Sequence, residues 1–152
     1  MEKRGWVMKN IRKLIVVLLL LLPLSVNADA LYLGGVSKHF GSNYDSDGYK
    51  YNENHEMIVI EYSNVFLGTM LNSYHERSYV VGYQYGLIEE EYFNLDLALG
   101  VISGYTEEQN DIFRIGGVNG FGSLMLEANT PYVKPVVMLF GTAFVFSIKY
   151  EF

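Results

Sequence analysis

The stretch Val65–Tyr83, VFLGTMLNSYHERSYVVGY, contains two apolar runs of strand length with a short polar break between them. The first run ends at Leu71 and the second resumes at Tyr79, without the periodicity of an amphipathic helix. Short runs rich in β-branched and aromatic residues, bounded by polar or glycine-containing segments, are typical of β-strands. The stretch therefore predicts two neighbouring strands, and the same pattern continues on both sides of it.

Outward from this stretch, the pattern predicts eight strands. They cover Leu31–His39, Glu56–Tyr62, Val65–Asn72, Ser78–Tyr85, Phe93–Tyr105, Gly122–Ala128, Tyr132–Phe140 and Thr142–Phe152. The segment Ile112–Val118 is an alternative strand that would shift the register of the last three. After residue 30, no run approaches the roughly 18 apolar residues that a transmembrane helix needs.

Long and short connections alternate along the chain, as Gly41–Asn54 and Ser63–Asn64 illustrate. Long loops at one end and short turns at the other are typical of outer-membrane barrels. Several runs, including Met57–Ile60 and Val136–Phe140, are apolar on both faces, whereas a strand of a soluble antiparallel sheet has one polar face. We therefore predict that residues 29–152 form one all-β domain, an eight-stranded antiparallel transmembrane β-barrel of the outer membrane.

Residues 1–28 have the features of a secretory signal peptide. The basic residues of its start are Lys3, Arg4, Lys9, Arg12 and Lys13. The apolar run Leu14–Leu22 follows and is too short to span a bilayer of about 30 Å. We predict cleavage after Ala28, with Ala30 as the alternative. The other interpretation is an uncleaved anchor, which the short run and Pro23 disfavour.

Composition excludes several classes of function. Residues 1–28 hold five of the eleven Lys and Arg and one of the seventeen Asp and Glu, so the cleaved chain keeps six basic and sixteen acidic residues, a net charge of −10. The basic footprint of a nucleic-acid-binding protein is therefore missing. The chain contains no cysteine, which excludes disulfides and Cys-based sites. We predict a monomer in the outer membrane, without a cofactor and without a nucleic-acid partner.

Strand parity predicts a cluster of polar side chains at one end of the barrel. If the cleaved chain starts on the periplasmic side, the first strand ends at the outer rim with His39. The second strand begins at this rim near His55, and the third ends there at Asn72–Ser73. His75 and Arg77 follow in the same connection. All three histidines of the chain are therefore expected at the outer rim.

Three uses of this rim are open on the residues alone. The first is acyl transfer, in which Ser73 acts as nucleophile with His39 as base and nearby donors stabilise the oxyanion. The second is a metal site formed by the three histidines, although their spacing matches no known ligand pattern. The third is a solvated, hydrogen-bonded rim without chemistry.

At these residues the chain resembles the outer-membrane lipid A palmitoyltransferases of the PagP type. The matching features, in order, are His39 at the end of the first strand, YNEN at Tyr51–Asn54, the polar–serine–aromatic run Asn72–Tyr74, VGYQYG at Val81–Gly86, and the amphipathic last strand FVFSIKYEF at Phe144–Phe152. The resemblance extends over residues 31–152. One position departs from the family pattern, since Asn72 stands where the family has an aspartate.

The resemblance implies an enzyme that moves a palmitoyl-type acyl chain from a phospholipid to lipid A, with the chain held in an apolar barrel interior that measures its length. It also implies that the catalytic residues are His39 and Ser73. We add Asn72, whose amide can orient a neighbour or donate to an oxyanion.

Three further residues are candidates for substrate binding. Arg77 suits a lipid A phosphate, because a guanidinium binds phosphate through two parallel hydrogen bonds. Tyr74 is the aromatic residue after the serine, and Gly68 is a position where the barrel wall lacks a side chain. We predict no metal site. The alternative functions are a non-enzymatic small barrel, for adhesion, surface exclusion or membrane stabilisation, and a lipid A deacylase.

Overall fold

The computed structural model describes residues 29–152 and shows a closed antiparallel β-barrel. The strands are β1 (Ala30–His39), β2 (Asn54–Tyr62), β3 (Val65–Leu71), β4 (Arg77–Glu89), β5 (Phe93–Ser103), β6 (Arg114–Ile115), β7 (Val118–Ala128), β8 (Val133–Phe140) and β9 (Ala143–Glu151). The β1–β9 and β5–β7 pairings close the barrel with eight strands, while β6 pairs only with β7. The predicted eight-stranded all-β barrel is confirmed, and the predicted signal peptide lies outside the described residues.

The strand boundaries differ from the prediction mainly in β4 and in the region before β7. The fourth strand was predicted to end at Tyr85, but β4 continues to Glu89, because a bulge at Leu87 lets pairing with β5 resume at Ile88. The sixth predicted strand began at Gly122, whereas β7 starts four residues earlier and pairs with β5 along its whole length. The alternative strand at 112–118 is reduced to the two residues of β6.

The two ends of the barrel differ in their connections. At one end, here called the turn end, the chain makes only short links, such as the two-residue turn Ser63–Asn64. Both residues have positive φ, 49° and 66°, as the tight turns of two-residue hairpins require. The opposite end, here called the loop end, carries the connections 40–53, 72–76 and 104–117, together with the short β8–β9 turn. Among residues 29–152 no helix is long and apolar enough to cross a bilayer.

The outer face of the wall is apolar. Side chains alternate strictly along β2, so that every second residue faces the interior and is buried while its neighbours are exposed. The exposed apolar side chains of the wall, here called the apolar belt, include Ile58, Ile60, Leu67, Val81, Leu99, Val101, Leu124, Leu126, Phe146 and Ile148. Exposed tyrosines surround the turn end, namely Tyr62, Tyr83, Tyr85, Tyr92, Tyr132 and Tyr150. An apolar band bordered by aromatic residues is typical of outer-membrane barrels.

The interior is apolar only in its middle, and ion pairs fill it at the turn end. Lys149 is 7 % exposed, and its Nζ lies 3.2 Å from Glu127 Oε2 and 3.5 Å from Glu61 Oε2. Lys134 Nζ lies 3.0 Å from Glu127 Oε1 and 2.8 Å from Glu151 Oε1. We call these five residues, with Asp96, the charged layer. It corrects the expectation of an interior that is apolar throughout.

Candidate active site

The middle of the barrel holds a cavity that encloses about 580 Å³ of empty space, part of it open to solvent. Four of its lining residues are the methionines Met57, Met70, Met125 and Met138, whose flexible side chains adapt to apolar ligands. Tyr32 and Gln84 line it on the side of the charged layer, where the Tyr32 hydroxyl donates to Glu61 Oε2 at 2.7 Å. The wall of the cavity is therefore almost wholly apolar, and the charged layer begins at its base.

Glycines allow two phenylalanine rings to shape one wall of the cavity. Gly82 on β4 pairs directly with Gly100 on β5. A Cβ at Gly82 would meet the ring of Phe66, and one at Gly100 would lie 3.1 Å from the ring of Phe121. Side chains at these two positions would displace the rings, so the glycine pair gives the cavity its form.

Gly68 is required by the backbone of the neighbouring strand. It lies between Phe66 and Met70 on β3, and a Cβ there would lie 2.6 Å from Val59 Cα and would also collide with the Ile58 carbonyl oxygen. The close approach of β2 and β3 requires glycine at this position. Its predicted role in substrate binding stays a prediction.

His39 and Ser73 meet at the loop end of the barrel. His39 is the last residue of β1, and Ser73 lies in the 72–76 turn after β3. The Ser73 hydroxyl is 3.3 Å from His39 Nε2, and His39 Nδ1 is 3.4 Å from Thr142 Oγ1. The imidazole stacks on the ring of Tyr51 at a centroid distance of 4.1 Å. A hydroxyl, a base and a group that orients the base are therefore aligned, as nucleophilic catalysis requires.

Asn72 shapes the turn that presents Ser73. It is fully buried, and its Oδ1 accepts hydrogen bonds from Tyr74 N at 2.8 Å and Glu76 N at 3.0 Å. Its Nδ2 donates to the Gly104 carbonyl oxygen at 2.7 Å, which ties the turn to the end of β5. These side-chain hydrogen bonds all go to backbone groups. Asn72 therefore acts on Ser73 through the backbone of the turn.

We expect Asn72→Asp to lower both stability and activity, although it gives this position the aspartate of the family that the chain resembles. The substitution places a carboxylate oxygen against the Gly104 carbonyl, where the structure needs a donor. Loss of this buried hydrogen bond costs about 1–3 kcal/mol. Urea unfolding of the folded protein measures the free-energy change. Asn110→Asp is the matched control, because the Asn110 side-chain oxygen accepts a hydrogen bond from Ile112 N. Higher activity of Asn72→Asp would contradict this role.

Tyrosines from two loops cover the Ser73–His39 pair. Burial raises the pKa of Tyr105, while hydrogen bonds from the backbone and side chain of Ser73 act in the opposite direction. Burial, and then the neighbouring Tyr51 and Asp45, raise the pKa of Tyr74 to about 12. The rings of Tyr74 and Tyr105 lie 6.3 Å apart, edge to face. Both phenols therefore keep their protons at neutral pH and can serve as donors beside Ser73.

A second serine–histidine pair lies at the same end of the barrel, and the sequence analysis missed it. His55 Nε2 is 2.7 Å from Ser37 Oγ, and His55 Nδ1 is 2.7 Å from the Leu71 carbonyl oxygen. Because a carbonyl only accepts, Nδ1 carries the proton and the Ser37 hydroxyl donates to Nε2. This pair links β1, β2 and β3 next to the 72–76 turn. The sequence contained one indication of this pair, because Ser37 is two residues before His39 and therefore shares the inward face of β1 with it.

The remaining predicted residues lie outside this cluster. Arg77 is 44 % exposed and forms an ion pair with Glu56 at 3.2 Å. His75 is exposed and has a φ of 60° in the 72–76 turn. Within residues 29–152 no group of three His, Cys, Asp or Glu side chains could hold a metal ion. The structure thus brings His39, Ser73 and Tyr74 together and leaves Arg77 and His75 at the surface.

The site combines a serine hydroxyl, an imidazole and a protonated phenol above an apolar cavity in a closed barrel. No family model, curated protein or solved structure matches this chain. Its geometry, together with the order of its sequence motifs, is the basis for a functional proposal.

Proposed function

We propose that this protein is an outer-membrane acyltransferase that moves a palmitoyl-type acyl chain from a phospholipid to lipid A. The observation that carries the proposal is the 3.3 Å approach of Ser73 Oγ to His39 Nε2 above an apolar cavity. Hydroxyl and imidazole form the nucleophile–base pair of acyl transfer. The almost wholly apolar lining of the cavity suits a hydrocarbon chain, and the charged layer at its base limits how deeply the chain enters.

The outer surface supports a location in the outer membrane. A wall whose outward side chains are mainly apolar is costly in water, whereas in a bilayer it faces lipid tails. Closure of the sheet satisfies the backbone hydrogen bonds that hydrocarbon leaves unpaired. The exposed tyrosines of the turn end support this location, because tyrosine is enriched at the polar boundary of a bilayer. The substrates of the proposed reaction are components of this membrane, so they reach the site without leaving it.

The chemistry follows from the position of each group. Ser73 Oγ attacks the ester carbonyl carbon of the phospholipid while His39 Nε2 takes its proton. The ester bond then breaks, and His39 returns the proton to the leaving lysophospholipid alcohol. A lipid A hydroxyl attacks the resulting serine ester, with His39 again transferring the proton, and the acylated product leaves. Tyr105 keeps its own proton for donation to the carbonyl oxygen, which becomes negative in each step.

The depth of the cavity is expected to determine the preferred acyl length. Ala98 is buried in the cavity wall. On the inward face of β5 it lies between Gly100 and Asp96, which belongs to the charged layer. Ala98→Leu fills the deep end, so terminal methylenes of a long chain no longer fit. Each excluded methylene loses about 0.8 kcal/mol of burial, or about fourfold in preference. Mass spectrometry of the product should show shorter chains.

The control for this prediction is Leu99→Phe on the same strand. Leu99 is on the outer face of β5 and is 44 % exposed, so the substitution adds volume outside the cavity. The acyl length should then equal that of the wild type. A product of unchanged length from Ala98→Leu would show that the cavity does not hold the chain.

Expression in a bacterium that lacks its own lipid A palmitoyltransferase tests the function. Mass spectrometry of lipid A should show one added acyl chain in cells with the wild-type protein and none in cells with Ser73→Ala. Heat-dependent gel mobility of both proteins confirms that they are folded in the membrane. Unmodified lipid A in the presence of folded wild-type protein would overturn the proposal. Loss of an acyl chain would identify a deacylase instead.

A further inference from the structure

The segment before β7 presents large apolar side chains that the barrel leaves uncovered. Ile112 is 62 % exposed, Phe113 is 82 % exposed and Ile115 is 79 % exposed. This segment belongs to the 104–117 connection at the loop end, whose first half contains the acidic residues Glu107 and Glu108. Three large apolar side chains within four positions do not stabilise a loop that is exposed to water, and in water they favour aggregation. The segment therefore needs an apolar environment.

Pairing of β6 with β7 determines the direction of these side chains. Arg114 pairs with Asn119, and Ile115 pairs with Val118. Asn119 is fully buried on the inward face of β7, and Arg114 Nη1 reaches its Oδ1 at 3.2 Å. Since directly paired residues share one face of a sheet, Ile115 lies on the outward face with Val118.

Phe113 lies on the same outward face. Gly120 alternates with the inward Asn119 and Phe121, so it faces out of the barrel. A Cβ at Gly120 would lie 3.1 Å from Phe113 Cβ, and Gly120 N donates to the Phe113 carbonyl oxygen at 3.2 Å. Phe113 thus lies on the outside of the wall, where its side chain is largely uncovered. Leu124 and Leu126 of the apolar belt continue the same face of β7 towards the turn end.

The segment also covers a place where the barrel wall is incomplete. β7 begins at Val118, but its pairing with β8 extends only over Ser123–Glu127. The first five residues of β7 therefore lack β8 as a neighbour, and only the two residues of β6 pair with them on this side. The 113–115 segment lies along this edge through the β6–β7 pairs and the bond from Gly120 N.

We propose that residues 112–115 form a lipid-inserting flap, in which Ile112, Phe113 and Ile115 enter the acyl-chain region of the bilayer. The occupant of this surface is lipid hydrocarbon, because Phe113 and Ile115 continue the apolar belt of β7. Their burial contributes membrane affinity and keeps water from the edge of β7 that β8 does not cover. The acidic Glu107 and Glu108 mark the half of the connection that stays in water. The inference rests on the proposed membrane location and is independent of acyl transfer.

Tryptophan fluorescence in brominated lipids tests the flap. The only tryptophan of the sequence is Trp6, within the predicted signal peptide, so a Trp6→Phe background removes it whether or not cleavage occurs. Ile115→Trp and Phe113→Trp then report on the flap, Glu108→Trp on the solvated half of the connection, and Leu126→Trp on the apolar belt. The folded variants are reconstituted in phosphatidylcholine vesicles that carry bromine on the upper acyl carbons.

We expect the emission of Ile115→Trp and Phe113→Trp to be blue-shifted and strongly quenched by the brominated lipid, whereas Glu108→Trp keeps the emission of a solvated indole. Quenching of Leu126→Trp without quenching of either flap variant would overturn the flap and leave the membrane location intact. Absence of quenching in all four variants would overturn the membrane location and the flap with it. None of these fluorescence measurements depends on lipid A acylation.

Discussion

Ser73→Ala and His39→Ala are each expected to lower the rate of acyl transfer by about 10²–10⁴-fold, and the double variant is expected to be no slower than the worse single variant. The reason is that nucleophile and base act as one unit. Without Ser73 the imidazole has no hydroxyl to deprotonate, and without His39 the hydroxyl 3.3 Å away stays protonated. The measurement is the initial rate of acyl transfer from phospholipid to lipid A by purified enzyme.

His75→Ala is the matched control for this pair of variants. His75 lies two residues from Ser73 and is exposed, so its loss removes an imidazole from the same turn without touching the reacting groups. Its rate should remain close to that of the wild type. If the rate reductions of Ser73→Ala and His39→Ala multiply in the double variant, the two residues do not act as a nucleophile–base unit. A rate of His75→Ala as low as that of His39→Ala would also contradict this unit.

The meeting of His39 and Ser73 was predictable because strand parity is a robust property of an antiparallel barrel. Each strand reverses direction, so the ends of β1 and β3 must lie at the same end of the barrel regardless of small errors in their boundaries. The predicted and observed ends of these two strands differ by at most one residue. Sequence reasoning reached the correct end of the barrel for this reason.

The structural role of Asn72 was not predictable in the same way. Asn72 gains its partner Gly104 from the connection directly after β5, more than thirty residues away, and Tyr105 reaches Ser73 from the same connection. Tyr105 was assigned to the end of the predicted fifth strand, whereas β5 ends at Ser103 and Tyr105 follows in the connection. Contacts of this kind depend on loop conformation and on register across several strands, which hydrophobic patterning does not specify.

The charged layer was missed for a related reason. Lys149 belongs to the last strand, which was predicted to be amphipathic, but its partners Glu61 and Glu127 lie on β2 and β7. Only the barrel register brings the three together. In their strands these three residues alternate with apolar residues, as residues on a solvent-facing side of a sheet also do. The sequence alone therefore gives no reason to place them inside the barrel.

Lys149→Met is expected to lower the free energy of unfolding by about 3–5 kcal/mol, because removal of one partner leaves buried charge without compensation. Lys149 has carboxylates of Glu61 and Glu127 within 3.5 Å, and both glutamates are at most 5 % exposed. Lys134 lies beside Glu127 on its other oxygen and cannot replace Lys149 at Glu61. Urea unfolding in lipid vesicles, followed by circular dichroism, measures the change.

Two further variants distinguish the stability cost of leaving buried charge unpaired from the cost of removing any lysine. Lys38→Met removes an exposed ion pair with Glu53, whose loss should cost less than about 1 kcal/mol. The double variant Lys149→Met with Glu127→Gln removes a cation and an anion together, and it should recover part of the lost stability because fewer uncompensated carboxylates remain. Equal costs for Lys38→Met and Lys149→Met would contradict a structural role for the charged layer. A large cost specific to Lys149 would mean that the base of the cavity is held by ion pairs, so that its depth depends on electrostatics as much as on packing.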